Sequence, residues 1–81
     1  MSVSMIEKTV LHKIGLALPE KITVDALVKD RTIGRSTKVE VKRIRSVKSA
    51  IEDLHSFKYI SSNDKGELWL LKAGKVYLGV Y

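Results

Sequence analysis

Residues 37–56, TKVEVKRIRSVKSAIEDLHS, carry the clearest secondary-structure pattern of this 81-residue chain. Aliphatic side chains recur there at the spacing of one face of an α-helix. They are Val41, Ile44, Val47, Ile51 and Leu54. Thr37 and Glu40 have the spacing of a capping box, in which each side chain accepts a hydrogen bond from the other residue's backbone. We predict a helix over residues 38–56, although the alternation of polar and apolar residues at 38–42 also fits a strand and leaves open a start as late as Arg43.

The side of this helix opposite its aliphatic face is cationic. On a helical wheel, four polar residues fall together on that side: Lys38, Lys42, Arg45 and Ser49. One face is therefore expected to pack into a core, while the other presents cations and a hydroxyl group to solvent.

The net charge of the chain is concentrated around the start of this helix. The whole chain has 15 Lys+Arg, 9 Asp+Glu and a formal net charge of +6. Residues 31–48 alone also sum to +6, because their only acid is Glu40. Their basic residues are Arg31, Arg35, Lys38, Lys42, Arg43, Arg45 and Lys48. Cations near a helix N-terminus oppose the helix dipole at a cost of about 0.3–1 kcal/mol each. Phosphate groups would offset that cost, so the arrangement favours a nucleic-acid ligand.

Length and composition exclude several classes of protein. The chain is long enough for one small domain, over residues 1–81, and its 44% hydrophobic content supports a packed core. It has no cysteine, which excludes disulfides, thiolate catalysis and Cys-ligated metals. No apolar run is long enough to span a membrane, and residues 1–8 lack the layout of a secretory signal. We therefore expect a cytoplasmic protein, and the Lys, Val and Ile content is compatible with an archaeal or viral source.

A first helix is predicted over residues 5–18. Ser4 and Glu7 have the spacing of a capping box, and apolar residues follow at helical intervals. Pro19 ends the pattern, because the residue before a proline is disfavoured in the helical conformation. Gly15 costs helix stability, and its lack of a side chain would permit close packing by a neighbouring element.

A second, short helix is predicted over residues 24–32. Thr23 is a typical N-cap, and Asp25 suits the first turn of a helix. Gly34 follows as a natural stop, because glycine readily takes the left-handed conformation at a helix end.

The remaining residues predict a β-hairpin. Residues 59–60 have β character, residues 62–66 are typical of a turn in which Gly66 takes a positive φ, and residues 67–71 form the returning strand. Residues 72–81 are consistent with either a further strand or a short helix.

This order of two helices, a long amphipathic helix and a hairpin resembles the winged helix-turn-helix regulators. Residues 47–60, VKSAIEDLHSFKYI, are similar to the end of the family's recognition helix and the start of its wing. Residues 68–78, LWLLKAGKVYL, are similar to the segment after the wing in MarR- and PadR-type regulators, where a strand leads into a helix through a Leu-Thr-x-x-Gly pattern. The resemblance covers residues 23–78 and implies an α+β fold: three helices, a β-hairpin wing and a short C-terminal element.

The chain departs from that family at three places. Lys58 stands where the family usually has Gly in the turn, and Leu71 stands where a capping Thr is usual. More residues than usual separate Leu27 from Val47. They belong either to a longer recognition helix or to an extended loop before it, and they include part of the basic cluster.

The resemblance implies a mode of docking on double-stranded DNA. We expect a transcriptional regulator that acts as a homodimer on a palindromic site, because the first helix and the tail carry more apolar residues than three short helices can bury. The helix at about 38–56 would enter the major groove, and the wing at 59–71 would touch the minor groove or the backbone. Candidate DNA-binding residues are Arg31, Arg35, Lys38, Lys42, Arg43, Arg45, Ser46, Lys48, Ser49 and Lys65. Arg45 suits the two acceptors of guanine, whereas Arg43 is equally well explained by an ion pair with Glu40.

By the same resemblance, the groove-facing candidates are Lys38, Lys42, Arg45, Ser46 and Ser49, and three others are expected at the DNA backbone or the groove edge. Arg31 and Arg35 suit phosphates, and Lys65 at the tip of the wing suits a minor-groove edge or a phosphate. The expected dimer surfaces are the first helix and the C-terminal tail. The residues of that tail are Tyr77, Leu78, Val80 and Tyr81.

Two other functions remain open from the sequence. The domain could instead be a winged-helix module that docks an acidic protein in a larger complex, or an RNA-binding module. His12 and His55 are far apart in the chain with no cluster of ligands near either, and no catalytic triad can be assembled. We therefore expect no enzyme activity, no cofactor, no metal and no small-molecule ligand. Trp69 is better explained by packing in the core or a subunit interface than by base stacking.

Overall fold

The computed structural model describes residues 3–35 and 37–79 of the chain. These residues form four helices and one three-stranded antiparallel sheet, which confirms the predicted α+β class. The helices are α1 (Met5–Leu16), α2 (Val24–Lys29), α3 (Glu40–Ser56) and α4 (Lys72–Leu78). The strands are β1 (Ile22–Thr23), β2 (Ile60–Ser62) and β3 (Glu67–Leu70), in the sheet order β1–β3–β2.

α1 begins at the predicted capping box. The backbone N–H of Ser4 donates to Glu7 Oε1 at 2.8 Å, and the backbone N–H of Glu7 donates to Ser4 Oγ at 3.2 Å. The helix ends at Leu16 instead of residue 18, because the chain already turns in the residues before Pro19.

α2 is shorter than predicted. Thr23 caps its start as expected, with Oγ1 accepting from the N–H of Ala26 at 3.1 Å. The helix ends at Lys29 instead of residue 32. Asp30 Oδ1 accepts from both the backbone N–H and the hydroxyl of Thr32, at 3.0 and 2.6 Å. These local bonds compete with the helical bonds and favour a turn.

α3 begins at Glu40, so Lys38 belongs to the loop before it. The predicted capping box at Thr37 and Glu40 is wrong. The N-cap residue is Val39, which makes no side-chain capping bond, and Glu40 Oε1 accepts from Arg43 Nε at 2.6 Å. The described residues between α2 and α3, 30–35 and 37–39, therefore belong to a loop and not to two extra helical turns.

One flank of α3 packs into the core as predicted. Val47, Ala50, Ile51 and Leu54 are buried there. Ile44 is only half-buried and does not belong to the core cluster. Val41 departs further from the prediction, because its side chain is 66% exposed on the Lys48 side of the helix. Its place in the repeating aliphatic pattern is a coincidence of spacing near the helix end.

β2 and β3 form the predicted hairpin. Asn63 Oδ1 accepts from the backbone N–H of Lys65 and of Glu67, at 3.0 and 3.1 Å, and Gly66 has a φ of 77°. These bonds shape the tight turn at the tip. β1 is an element that the sequence did not predict, and it pairs with β3 through Ile22 opposite Leu68.

The C-terminal segment is helical over Lys72–Leu78, which decides between the two alternatives for that part. Val80 and Tyr81 lie outside the described residues. Gly15 of α1 allows the expected close approach, because a Cβ there would lie 2.8 Å from Leu78 Cδ1. Leu78 therefore packs towards the core, although the sequence had assigned it to a dimer surface.

A single hydrophobic core joins the helices to the inner face of the sheet. Its largest fully buried side chains are Val10, Leu11, Ile14, Leu27, Ile33, Val47, Leu54, Ile60 and Leu68. Within residues 3–35 and 37–79, no helix is both long enough and apolar enough to cross a lipid bilayer.

Candidate nucleic-acid interface

The outward side of α3 presents four of the predicted residues together. Lys42, Arg45, Lys48 and Ser49 are all exposed, and we call this set the cationic face. Their positions follow from the helical period, because Lys42, Arg45 and Ser49 lie across the helix from the buried Val47 and Lys48 lies on the adjoining flank. Among the described residues, none of the three cations of this face makes an ion pair. Their charge therefore remains available to a ligand.

A shallow groove runs along the cationic face. It is lined by Val41, Ile44, Arg45, Lys48, Ser49 and Glu52. Val41 and Ile44 are the residues that sequence reasoning missed here, since both were assigned to the core face. Val41 is the more exposed of the two. Its exposed methyl groups add an apolar contact among the cations, and Glu52 sets an acidic limit at the C-terminal end of the groove.

Lys65, at the tip of the hairpin, lies beside this face. Lys48 and Lys65 line the same cleft, together with Gly66 and Thr23, Val24, Asp25 and Val28 at α2 and its N-cap. Two features hold the tip there: β1 pairs with β3, and the backbone N–H of Val24 donates to the carbonyl of Gly66 at 2.9 Å. Both contacts join segments that are distant in sequence.

The loop before α3 carries three more of the predicted residues. Arg31, Arg35 and Lys38 are exposed on it. The acid of this loop, Asp30, is engaged elsewhere. The side-chain and backbone hydrogen bonds from Thr32 lower the pKa of Asp30, and its carboxylate lies 3.3 Å from Lys13 Nζ.

Arg43 is not part of the exposed surface. Arg43 is only 5% exposed. Its guanidinium donates to the Glu40 carboxylate and to the backbone carbonyls of Val28, Asp30 and Ile33. Of the two roles expected for Arg43, a DNA contact or an ion pair with Glu40, the structure shows the ion pair. Because the protein itself occupies these donors, Arg43 is removed from the set of candidate DNA contacts.

Ser46 lies at the junction between α3 and α1. It is half-buried and lines a cleft with Glu7, Arg45 and Asp53, among others. A groove-facing role therefore fits the half-buried Ser46 less well than it fits the exposed Ser49.

Two carboxyl groups lie in that cleft on the α1 side of the cationic face. The hydrogen bond from the Ser4 backbone, followed by one with Asp53, lowers the pKa of Glu7. The hydrogen bond shared with Glu7 raises the pKa of Asp53. This acidic pair limits the positive surface in the direction of α1.

The outer face of the sheet holds a second feature that was not predicted. Trp69 is half-buried on the side of β3 away from Leu68 and Leu70, and Lys21 Nζ lies 4.7 Å from the centre of its ring. This position is outside the core. The stacking of a cation on a tryptophan ring stabilises that arrangement.

The histidines do not form a metal site in the described part of the chain. His55 Nε2 is 2.8 Å from Ser62 Oγ, a contact that links the end of α3 to β2. In residues 3–35 and 37–79, no group of three or more His, Cys, Asp or Glu side chains is arranged to hold a metal ion.

No protein-family model, curated protein or solved structure matches this chain. The functional assignment therefore depends on the geometry described above.

Proposed function

We propose that this chain is a winged helix-turn-helix protein that binds double-stranded DNA and regulates transcription. The order of elements, α1, β1, α2, α3, β2 and β3, supports this architecture, as does the sheet order β1–β3–β2. In this interpretation α3 is the recognition helix and the β2–β3 hairpin is the wing.

The observation that carries the proposal is the cationic face of α3. Three cations without an acidic partner among the described residues lie on one side of a helix whose other side is buried. A helix that served packing alone would gain nothing from this charge, because Lys42 in the first turn opposes the helix dipole and three cations on one side repel one another. Phosphate groups would compensate the charge and release counterions on binding.

The dimensions of α3 suit the major groove of DNA. Its 17 residues give a length of about 26 Å, and a helix with side chains is about 10–12 Å wide, close to the groove width of about 12 Å. Arg45, at the middle of the exposed side, would donate two hydrogen bonds to guanine. Lys42 and Lys48 would contact phosphates, and Val41 would meet a thymine methyl group.

The wing would extend this contact beyond the groove. Lys65 and Lys48 line one cleft, so a phosphate of the adjoining strand could be bound between them. Lys65 would therefore support affinity more than sequence recognition.

We also propose that the protein acts as a homodimer. Apolar side chains remain exposed on α4, where Val76 is 56% and Tyr77 41% exposed, and on α1 at Met5 and Leu16. A two-fold pair would present two α3 helices about 34–36 Å apart, which corresponds to a palindromic site with half-sites one helical turn apart. Analytical ultracentrifugation with and without a palindromic duplex tests this part.

One titration series tests the DNA-binding proposal. Binding of the chain to duplex DNA, duplex RNA and single-stranded DNA is measured by fluorescence anisotropy over a range of salt concentrations. We expect the tightest binding to duplex DNA, with affinity falling steeply as salt rises. Binding that does not depend on salt would exclude phosphate contacts, and a preference for RNA would favour the RNA-binding alternative.

Chemical-shift mapping with duplex DNA then locates the contact. Backbone resonances of residues 41–49 and of Lys65 should shift together, because the helix and the wing would meet the same duplex. Shifts restricted to α1 and α4 would contradict the proposed orientation. Weak binding to every nucleic acid, together with loss of an acidic protein partner in Arg45→Ala, would favour the protein-docking alternative.

A further inference from the structure

Residues 30–35 of the loop between α2 and α3 follow a path set by backbone hydrogen bonds and one buried side chain. Its first turn is closed by the N–H of Ile33, which donates to the carbonyl of Asp30 at 3.2 Å. A second bond runs from the N–H of Thr37 to the carbonyl of Gly34 at 2.9 Å. Ile33 is fully buried in the core, so the loop is anchored at its centre.

Arg43 of α3 connects this loop to the helix. Its Nη1 donates to the carbonyls of Asp30 and Ile33 at 3.1 and 3.0 Å, and its Nη2 donates to the carbonyl of Val28. Its Nε donates to Glu40 Oε1 at 2.6 Å, which fixes the orientation of the guanidinium. One side chain thus binds the end of α2 and the first half of the loop at once.

Gly34 shows how closely the loop approaches this arginine. A Cβ at Gly34 would lie 3.3 Å from Arg43 Cγ, and the φ of Gly34 is 67°. The loop therefore passes directly over the aliphatic stem of Arg43, at a position and in a conformation that favour glycine.

Only arginine can make this set of contacts. The last carbonyls of a helix have no partner within the helix, and buried carbonyls require a donor. Arginine has five N–H donors in a rigid planar fork, whereas the three donors of lysine are on one nitrogen. A lysine at position 43 would keep the charge but could not bind carbonyls that point from three different residues.

We propose that Arg43 is a positioning residue that holds residues 30–35 of the α2–α3 loop as a preformed cationic arm for nucleic-acid phosphates. The arm carries the exposed Arg31 and Arg35. Residues held in this way keep both cations where they can contact phosphates and lose less conformational entropy on binding, so the number of phosphate contacts and the affinity both depend on Arg43. Arg43 thus acts on the ligand through the arm and does not touch it. The inference rests on the proposed nucleic-acid function.

A double-mutant cycle in the salt dependence of duplex-DNA binding tests this role. Arg31→Ala combined with Arg35→Ala removes two cations of the arm. In the otherwise wild-type chain, the slope of log K against log salt should fall by about 1.8, since each lost phosphate contact removes about 0.9. In the Arg43→Lys background, which keeps the net charge, the same two substitutions should change the slope by less than about 0.5, because the arm is no longer held against the duplex.

The same cycle is measured in two further variants, one as a control and one as a substitute in case Arg43→Lys does not fold. Arg45→Lys makes the same substitution on the exposed side of α3, and the arm substitutions should there lower the slope by the full wild-type amount. Gly34→Ala leaves every charge and Arg43 in place but disturbs the contact of the loop with Arg43 Cγ. If Arg43→Lys does not fold, the cycle is measured in Gly34→Ala, with the same expected loss of the arm's effect.

The outcomes separate this inference from the proposed function. Equal slope losses in the wild-type, Arg45→Lys and Arg43→Lys or Gly34→Ala backgrounds would show that the arm binds without Arg43 and would overturn the inference alone. A wild-type slope that the arm substitutions leave unchanged would also overturn it, while α3 still binds. A wild-type chain that binds no nucleic acid would overturn the proposed function itself.

Discussion

The two flanks of α3 contain the same residue type in opposite environments. Arg43 on the inner flank is 5% exposed and bound on all sides by the protein, whereas Arg45 on the cationic face is exposed and has no acidic partner among the described residues. A shift of two positions turns a side chain to the other side of a helix. The role of an arginine in α3 therefore depends on the helical face on which it lies. Residue type and net charge alone do not predict that role.

The largest expected effect is on stability and concerns the inner flank. Arg43→Met should lower the free energy of unfolding by about 2–4 kcal/mol, because it removes the donor to the carbonyls of Val28 and Ile33 and leaves the carbonyl of Asp30 with only the N–H of Ile33. Arg45→Met, the same substitution on the outer flank, should change it by no more than about 0.5 kcal/mol. Urea denaturation followed by circular dichroism measures both. Equal costs for the two variants would remove the distinction between the flanks.

The next effect is on DNA binding, and here the outer flank of α3 is expected to matter more than the inner flank. Arg45→Met should weaken binding to a duplex containing its guanine step by about 1–3 kcal/mol, since a two-pronged contact to a base would be lost. Lys72→Met on α4 removes the same charge at an exposed position and serves as the control, with little expected change. Anisotropy titration at one salt concentration compares the two. A loss as large in Lys72→Met would mean that only total charge matters.

A smaller effect concerns the lysines of the cationic face. Lys42→Ala and Lys48→Ala should each lower the slope of log K against log salt by about 0.9, without altering the ranking of DNA sequences. Lys29→Ala is the matched control, because Lys29 Nζ is already paired with Asp25 at 2.9 Å. If Lys29→Ala lowered the slope as much as the other two, the contact surface would have to extend over α2.

The smallest effect concerns the carboxyl pair at the α1 edge of α3. The hydrogen bond with Glu7 raises the pKa of Asp53, so ionisation of Asp53 works against folding. The stability that the shared proton contributes is present in acid, and it is lost as the pH rises through the raised pKa. Asp53→Asn should therefore be slightly more stable than the wild type at neutral pH, and the difference should shrink in acid. Thermal unfolding at several pH values measures this, and an Asp53→Asn variant less stable at neutral pH would contradict it.

Patterns local in the chain predicted much of this fold. The capping box at Ser4, the N-cap at Thr23 and the turn at Gly66 were all recognisable, because each depends on bonds between residues at most four apart. The inward direction of Val47 and Leu54 followed from helical periodicity in the same way. The direction of Arg45 followed with them.

Other features could not be read from local patterns. β1 is only two residues long and exists because it pairs with β3, more than forty positions away. Val41 matched the aliphatic repeat but lies near the start of α3, where its side chain is 66% exposed among the described residues. The loop after α2 gave no periodic signal, so neither its length nor its path was predictable.

The amino-acid sequence determined where helices form, which side of α3 is apolar and where the positive charge is concentrated, because these depend on spacing within one segment. The tertiary structure decided which of the cations are exposed. Arg43 was taken out of the charged surface by carbonyls from 10 to 15 positions earlier in the chain, and Lys65 was brought beside Lys48 by strand pairing. The physical reason is that a buried carbonyl must find a donor wherever one lies in space, and spacing along the chain does not reveal where that donor is.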